Sequence, residues 1–174
     1  AQKMRHRRFE EGSIAFEREE AKFHLDSEGK PLGVYFKEQK EANQLIEEFM
    51  LLANRRVAEF IGRQRGRQRT MVYRVHDEPN SDKLIRFQSF ILRFGYYFKA
   101  DKGKAVAKAM NRLMDKIRGK VEENAIATLA VRTMSKAFYT TDNIGHYGLA
   151  FPYYTHFTSR IRRYPDMMVH RLLA

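Results

Sequence analysis

The apolar period of this chain changes at Glu41, and few folds accommodate the change. Before that point, residues 13 to 37 alternate, with Ile14 and Phe16, then Phe23 and Leu25, then Val34 and Phe36 on one side, and "DSEGKPLG" supplies a turn. Beyond it, Ile46, Met50, Ala53, Val57, Phe60 and Ile61 recur at steps of three and four, and Leu45, Phe49 and Leu52 widen the stripe. A period of two belongs to strands and one of 3.6 to helices. The pattern therefore predicts two or three antiparallel strands followed by a helix broad enough in apolar residues to be buried.

Gly62 is placed to end that helix, and "RQRGRQR" sets Arg63, Arg65, Arg67 and Arg69 two apart. A short strand is expected over 71–75. Pro79 and the Asn80-Ser81-Asp82 group then mark a turn and an N-cap. Leu84, Phe87, Ile91 and Phe94 form the next stripe, with Gly95 as its stop; Val106, Met110, Leu113, Met114 and Ile117 form another, ending at Gly119. A further helix is expected from about Val121 to Phe138, with Ile126, Leu129, Thr133 and Ala137 on one side. The fold class is α+β, N-terminal antiparallel strands followed by several helices, without an internal repeat.

Composition limits what such a fold can do. With 174 residues, 43% of them hydrophobic, the chain buries a real core as one domain or a large piece of one. Lys and Arg outnumber Asp and Glu by 33 to 21, giving a net charge of +12 that favours nucleic acid, an acidic partner or a membrane surface. The absence of Cys excludes disulfides, cysteine-ligated zinc and thiol nucleophiles. "AQKMRHRRFEEG" has no apolar run behind its basic start, and the longest stretch without Asp, Glu, Lys or Arg, 143–159, is too rich in Gly, Asn, His, Thr and Pro to span a membrane. A soluble cytoplasmic protein without a membrane partner is the expectation. The first residue is not Met and the last ones, "MMVHRLLA", continue a helical pattern, so both ends read as internal.

Chemistry concentrates in "YTHFTSRIRRYPD", residues 154 to 166. Pro165 disrupts a helix interior, so the helix through "YPDMMVHRLL" starts within about four residues before it and places Arg162 and Arg163 at its entrance. Helix N-terminal amides and paired guanidiniums favour phosphate. Thr158 and Ser159 cap the helix or contact a phosphate oxygen, while Tyr153, Tyr154, His156 and Phe157 offer faces for stacking single-stranded bases. A structural reading fits equally well: Arg162 pairs with Asp166, His170 sits beside it, and the aromatics belong to the core.

Order along the chain distinguishes the two. "GHYGLAFPYYTHFTSRIRRYPDMMVHRLL" resembles the signature of the ribonuclease II and ribonuclease R family of 3′-to-5′ exoribonucleases. "RRFEEGSIAFEREEAKFHLDSEG", "LIEEFMLLANRRVAEFIG", "YRVHDEPNSDKL" and "RTMSKAFYTTDNIGHYGL" are also similar, in the family's order, so the likeness covers nearly the whole chain and is strongest to the bacterial ribonuclease R type. The resemblance implies processive hydrolysis of single-stranded RNA to 5′-nucleoside monophosphates with magnesium as cofactor. Position by position, it makes Arg162 the catalytic arginine and places Arg163, Ser159, Thr158, His156 and Tyr154 in the RNA-contacting loop. It aligns Phe16 with an aromatic that stacks on bases near the 3′ end. Glu48, in preference to Glu47, aligns with an acidic residue near the terminal sugar. Residue type alone also allows Phe16 as strand core, Glu48 as a solvated helix-face carboxylate and Arg63 to Arg69 as a solvated helix end.

Two departures from the family pattern stand out. The signature usually reads "TSPIRRY", whereas Arg160 replaces that proline here. The family holds magnesium with clustered aspartates upstream of any segment in this chain; Asp142 and Asp166 do not make such a set, and Asp77 and Glu78 read as turn carboxylates. The expectation is the C-terminal portion of an RNB-type catalytic domain, without metal ligands of its own, that binds RNA and cleaves it poorly or not at all. A non-catalytic single-stranded RNA-binding module and a helical protein with a basic surface are the alternatives.

Overall fold

The structure is a computed structural model that describes residues 1–14, 20–37, 40–64, 70–98, 100, 103–159 and 162–174, without the side chains of residues 20, 36 and 37. In chain order, the elements are α1 (Gln2–Glu10), β1 (Glu20–Leu25), β2 (Pro31–Lys37), α2 (Glu41–Gly62), β3 (Tyr73–Val75), α3 (Ser81–Leu92), α4 (Gly103–Ile117), α5 (Glu123–Thr133), β4 (Phe138–Thr140), a 3₁₀ turn (Tyr147–Leu149) and α6 (Tyr164–Leu173). The class is α+β. Two antiparallel strand pairs, β1–β2 and β3–β4, are set among the helices.

The first pair is the hairpin read from the alternation. Asp26 Oδ1 closes its turn by accepting from the Glu28 and Lys30 amides at 2.9 and 2.8 Å, and Gly29 supplies the positive φ of +82°. Phe23 faces Val34 across the ladder, yet Phe23, Leu25, Leu32 and Val34 are all exposed. Phe16 lies outside the described residues, as do Arg65 to Arg69 and Arg160.

Two cores organise the rest. Phe87 and Ile91 of α3, Met110 and Ile117 of α4 and Ile126 of α5 build the larger, a three-helix cluster. The stripes predicted for α3 and α4 face it. Ala58 and Ile61 of α2, Met71, Tyr73 and Val75 around β3 and Val169 of α6 build the smaller. Segment 13–14 ties the 3₁₀ turn to the larger core: the Ile14 amide donates to the Gly148 carbonyl at 2.9 Å and Asn111 Nδ2 to the Ser13 carbonyl at 2.8 Å.

Two expectations change. Helix α2 is not buried all round: Ile46, Phe49 and Phe60 are exposed, and the covered line runs through Glu48, Leu51, Asn54, Ala58 and Ile61, with Glu59 buried beside it. Apolar width on a helix shows what it can bury, and neighbours lie on one side only. Helix α5 stops at Thr133 rather than Phe138, because Met134 turns extended and residues 138–140 pair with β3, Tyr73 opposite Thr140 and Val75 opposite Phe138. Gly62, the last residue of α2, is required for a steric rather than a conformational reason, since a Cβ there would sit 2.6 Å from Tyr73 Oη and 2.9 Å from the Tyr153 ring.

Helix α1, unpredicted, packs on α2 through a buried ion pair. Arg8, 6% exposed, meets Glu48, 2% exposed, at 2.5 Å and donates to Ser13 Oγ at 2.8 Å. Removing one member of a desolvated pair strands the other charge. Glu48→Ala is therefore expected to lower unfolding free energy by about 3 kcal/mol in urea titrations; an unchanged midpoint would mean that the pair contributes nothing.

Candidate nucleic-acid interface

Residues 154–159 have no regular secondary structure, so their shape is set by side chains that reach in from three elements. From α2, Asn54 Oδ1 accepts the amides of Phe157 and Thr158 at 2.9 and 3.2 Å, and Asn54 Nδ2 donates to the Tyr154 hydroxyl at 3.2 Å. From β3, the Arg74 amide donates to the Tyr154 carbonyl at 2.9 Å; Thr155 Oγ1 donates back to the Val72 carbonyl at 2.7 Å. From α6, Asp166 Oδ1 accepts the Ser159 amide at 2.7 Å, and His170 Nε2 donates to the Phe157 carbonyl at 3.0 Å while its ring stacks on Phe157 at 4.2 Å. Buried backbone donors and acceptors need partners, and here nearly every one comes from outside the loop.

The two arginines behind the loop have different surroundings. Arg163 caps α6 and is neutralised: its Nη2 donates to Asp166 Oδ1 at 3.0 Å, its Nε lies 2.9 Å from Oδ2, and Asp166 is fully buried. Arg162 is exposed. Its Nε donates to Ser159 Oγ at 3.2 Å, and it has no carboxylate partner among the described residues. The expected alternative pairing of Arg162 with Asp166 is thus replaced by Arg163 with Asp166. Thr158 Oγ1 is buried without a hydrogen-bond partner among the described residues.

The aromatic residues form a packed cluster. Tyr154 is 5% exposed, its ring edge-on to His146 at 5.2 Å and to His156 at 5.7 Å. That corrects the expectation of a free stacking face on Tyr154. His156 Nδ1 meets the Tyr139 hydroxyl at 2.6 Å, and the Arg74 guanidinium lies 4.7 Å over the Tyr139 ring. A cavity of about 360 Å³ opens here, lined by Glu47, Asn54, Tyr154, His156 and Arg163 among others. Glu48 is absent from it. Residues 47, 50, 51 and 54 face the loop and 48 faces α1, one helical step of about 100° away, so the structure brings Tyr154, His156, Thr158, Ser159, Arg162 and Arg163 together and leaves Glu48 out.

Asn54, Arg74, Tyr139 and His146 were missed from sequence. Asn54 carried a signal, a polar residue inside an apolar stripe, which a buried helix position tolerates only with partners. The others had none, since they depend on the β3–β4 pairing.

Burial, with Arg163 as the next cause, holds His156 down to about 4; burial and the neighbouring His76 hold His146 down to about 3. Burial also lowers His76, which donates from Nε2 to the Ser135 carbonyl and accepts the Gly148 amide at Nδ1, both at 2.8 Å. These imidazoles are neutral at pH 7.

Among the described residues, no three His, Asp or Glu side chains are placed to hold a metal ion, and no helix is long and apolar enough to cross a membrane. Asp77 and Asp166 are each committed to a backbone amide, Glu78 receives the first amide of α4 and Asp142 is exposed. These described carboxylates do not fit a divalent-ion site.

An irregular loop of hydroxyls and histidine, clamped to a helical body beside an arginine without a carboxylate partner among the described residues, has the chemistry of an anion-binding surface. The RNB domain profile matches residues 1–174, and the chain belongs to that family. It is 39% identical over 170 residues to Ribonuclease R 1 of Lactococcus lactis subsp. lactis (strain IL1403), covering 98% of this chain and 20% of that protein. It superposes on Mycoplasma genitalium RNase R in complex with ribose methylated single-stranded RNA with a TM-score of 0.86 at 26% identity, over 98% of this chain and 26% of that one. Yeast Ssd1, a pseudonuclease, gives a TM-score of 0.64 at 31% identity, over 78% of this chain and 17% of that one. The chain thus spans about a fifth of the Lactococcus relative's length.

The neutral histidines link stability to pH. Unfolded, they titrate near 6.5; folded, His156 and His146 titrate near 4 and 3, so the unfolded state binds more protons in between. Stability is expected to fall as pH drops from 6.5 toward 4, and His156→Gln should flatten that fall in urea midpoints measured across the range. A variant with an unchanged slope would remove His156 from the linkage.

Proposed function

We propose that this chain carries the RNA-contacting loop and catalytic arginine of a processive 3′-to-5′ exoribonuclease acting on single-stranded RNA, as the C-terminal portion of its catalytic domain. The observation that carries this reading is the exposure of Arg162, uncompensated, on a loop whose other groups are anchored. The RNA bound by the Mycoplasma genitalium enzyme supports it.

In the reaction, water attacks the phosphorus of the last phosphodiester, the bond to the 3′-oxygen of the preceding nucleotide breaks, and that oxygen leaves with a proton. The product is a 5′-nucleoside monophosphate. Arg162 donates to the non-bridging oxygens as their charge grows, in a site where fixed donors are worth most. The Ser159 hydroxyl borders the phosphate path, while Thr158, its Oγ1 buried, and Arg163, held by Asp166, shape the loop behind it; His156 presents an imidazole edge to a base or ribose. Glu47, lining the cavity, accepts from a ribose 2′-hydroxyl in place of Glu48. Tyr154 acts through its hydroxyl and its hold on the histidines. Phe16 keeps its proposed stacking role.

The magnesium implied by the family resemblance would take ligands other than the carboxylates described here, and the chain alone is expected to bind RNA in the cytoplasm without cutting it. The likeness to the pseudonuclease Ssd1 favours a second reading, a non-catalytic single-stranded RNA-binding module. A gel assay of 5′-labelled single-stranded RNA with the complete protein and magnesium separates the two: stepwise loss from the 3′ end supports the nuclease, and binding without shortening supports the module.

Arg162→Ala in the complete enzyme is expected to lower turnover by about a hundredfold or more with modest loss of RNA affinity, because its contact strengthens in the transition state; equal single-turnover rates would remove it from the mechanism. Glu47→Ala should narrow the preference for RNA over DNA in parallel anisotropy titrations. An unchanged ratio would exclude Glu47 from sugar recognition.

A further inference from the structure

A second cavity, of about 690 Å³, lies on the far side of the histidine cluster, between α3, α5 and the 3₁₀ turn. Its volume falls within the range of small-ligand sites, roughly 300 to 1,000 Å³. Ile14, Val131, Met134 and Leu149 line it with apolar surface; Ile14 and Met134 are 8% and 9% exposed. Lys83 from α3, Arg132 from the last turn of α5 and Lys136 just beyond add charge. No carboxylate is among its lining residues, and these three cations have no ion-pair partner among the described residues. An apolar pocket edged only by cations suits a ligand with a flat uncharged part and an anionic end.

Its position narrows the ligand. His146 lines this cavity and stands edge-on to Tyr154, 5.2 Å away, and Tyr154 lines the cavity beside Arg163. One layer of aromatic side chains therefore separates the two spaces. The nearest source of a molecule with a flat ring and a phosphate is the hydrolysis assigned to the loop.

We propose that this cavity is a mononucleotide site, binding a nucleoside 5′-monophosphate with its base on Ile14, Val131, Met134 and Leu149 and its phosphate among Lys83, Arg132 and Lys136. The assignment rests on the RNA-degrading role proposed above. Charge-assisted contacts from three cations to a phosphate dianion provide the anchor. The apolar lining requires the base, which distinguishes the site from a general anion patch.

The test is calorimetric titration of adenosine 5′-monophosphate into the chain, with adenosine and inorganic phosphate as separate titrants. Saturable binding of the nucleotide, with both fragments at least about tenfold weaker, is expected. Arg132→Ala with Lys136→Ala should weaken the nucleotide about tenfold at unchanged melting temperature, and Val131→Glu, at an exposed position, should do so independently. Arg162→Ala should leave nucleotide affinity intact. The proposal is overturned by absent saturation, by inorganic phosphate binding as tightly as the nucleotide, or by loss of binding only in the loop variant, which would seat the nucleotide at the RNA loop. Anisotropy with labelled single-stranded RNA runs in parallel: RNA bound and nucleotide not bound sinks the cavity alone, while nucleotide bound and RNA not bound sinks the RNA reading and leaves the cavity standing.

Discussion

Asn54 and Asp166 position the loop around which most groups assigned to RNA gather. Asn54 on α2 is 3% exposed and Asp166 on α6 is fully buried, and between them they accept three successive loop amides, those of Phe157, Thr158 and Ser159. A loop of this length would otherwise sample many conformations, at a cost of about 1 to 2 kcal/mol for each residue fixed on binding. The two anchors place that ordering in folding rather than in ligand capture. They also tie the loop to elements of one core, since α2 and α6 both pack around Ala58, Ile61 and Val169. The smaller core therefore serves as the loop's foundation.

The same carboxylate explains why two adjacent arginines have different functions. A fully buried aspartate that accepts only one amide would carry a poorly compensated charge. Arg163, at the helix cap and 23% exposed in its side chain, supplies the compensation from the first turn of α6. That contact removes Arg163 from the pool of free cations and shapes the helix entrance. Arg162 follows the loop and faces solvent instead, so its charge remains available. A single residue of register separates a guanidinium held by a buried carboxylate from one exposed to solvent, and Pro165 helps set that register by fixing where α6 begins.

Much of this was legible in the chain itself. The change of period predicted the hairpin and α2, the stripes predicted α3 and α4, and Pro165 placed the start of α6 within about four residues before it, where Tyr164 opens the helix. Failures came where long-range partners decide. Phe138 to Thr140 continue an apolar pattern acceptable to α5, and only pairing with β3, more than sixty positions earlier, makes them a strand. Glu47 and Glu48 are adjacent and chemically identical; which one meets Arg8 depends on α1, whose nine residues have little apolar content to announce a helix. The exposed stripe of Ile46, Phe49 and Phe60 has the period of a buried one, because periodicity records a face and not its neighbour.

Charge gives the remaining connection between the loop and its surroundings. The chain carries +12, and Arg74, Arg162 and Arg163 all act on His156, so a protonated imidazole there would add a fourth cation to a partly buried cluster. Burial and those guanidiniums keep it neutral, and a neutral imidazole retains a hydrogen-bond acceptor that the cation lacks. The Tyr139 contact to Nδ1 uses one ring nitrogen and leaves the other for a ligand. The cluster thereby divides its tasks: guanidiniums supply fixed charge that does not titrate, and imidazoles supply polar edges whose charge stays near zero throughout the neutral range. A phosphodiester strand needs both kinds of contact, one for its anionic oxygens and one for its uncharged bases and riboses.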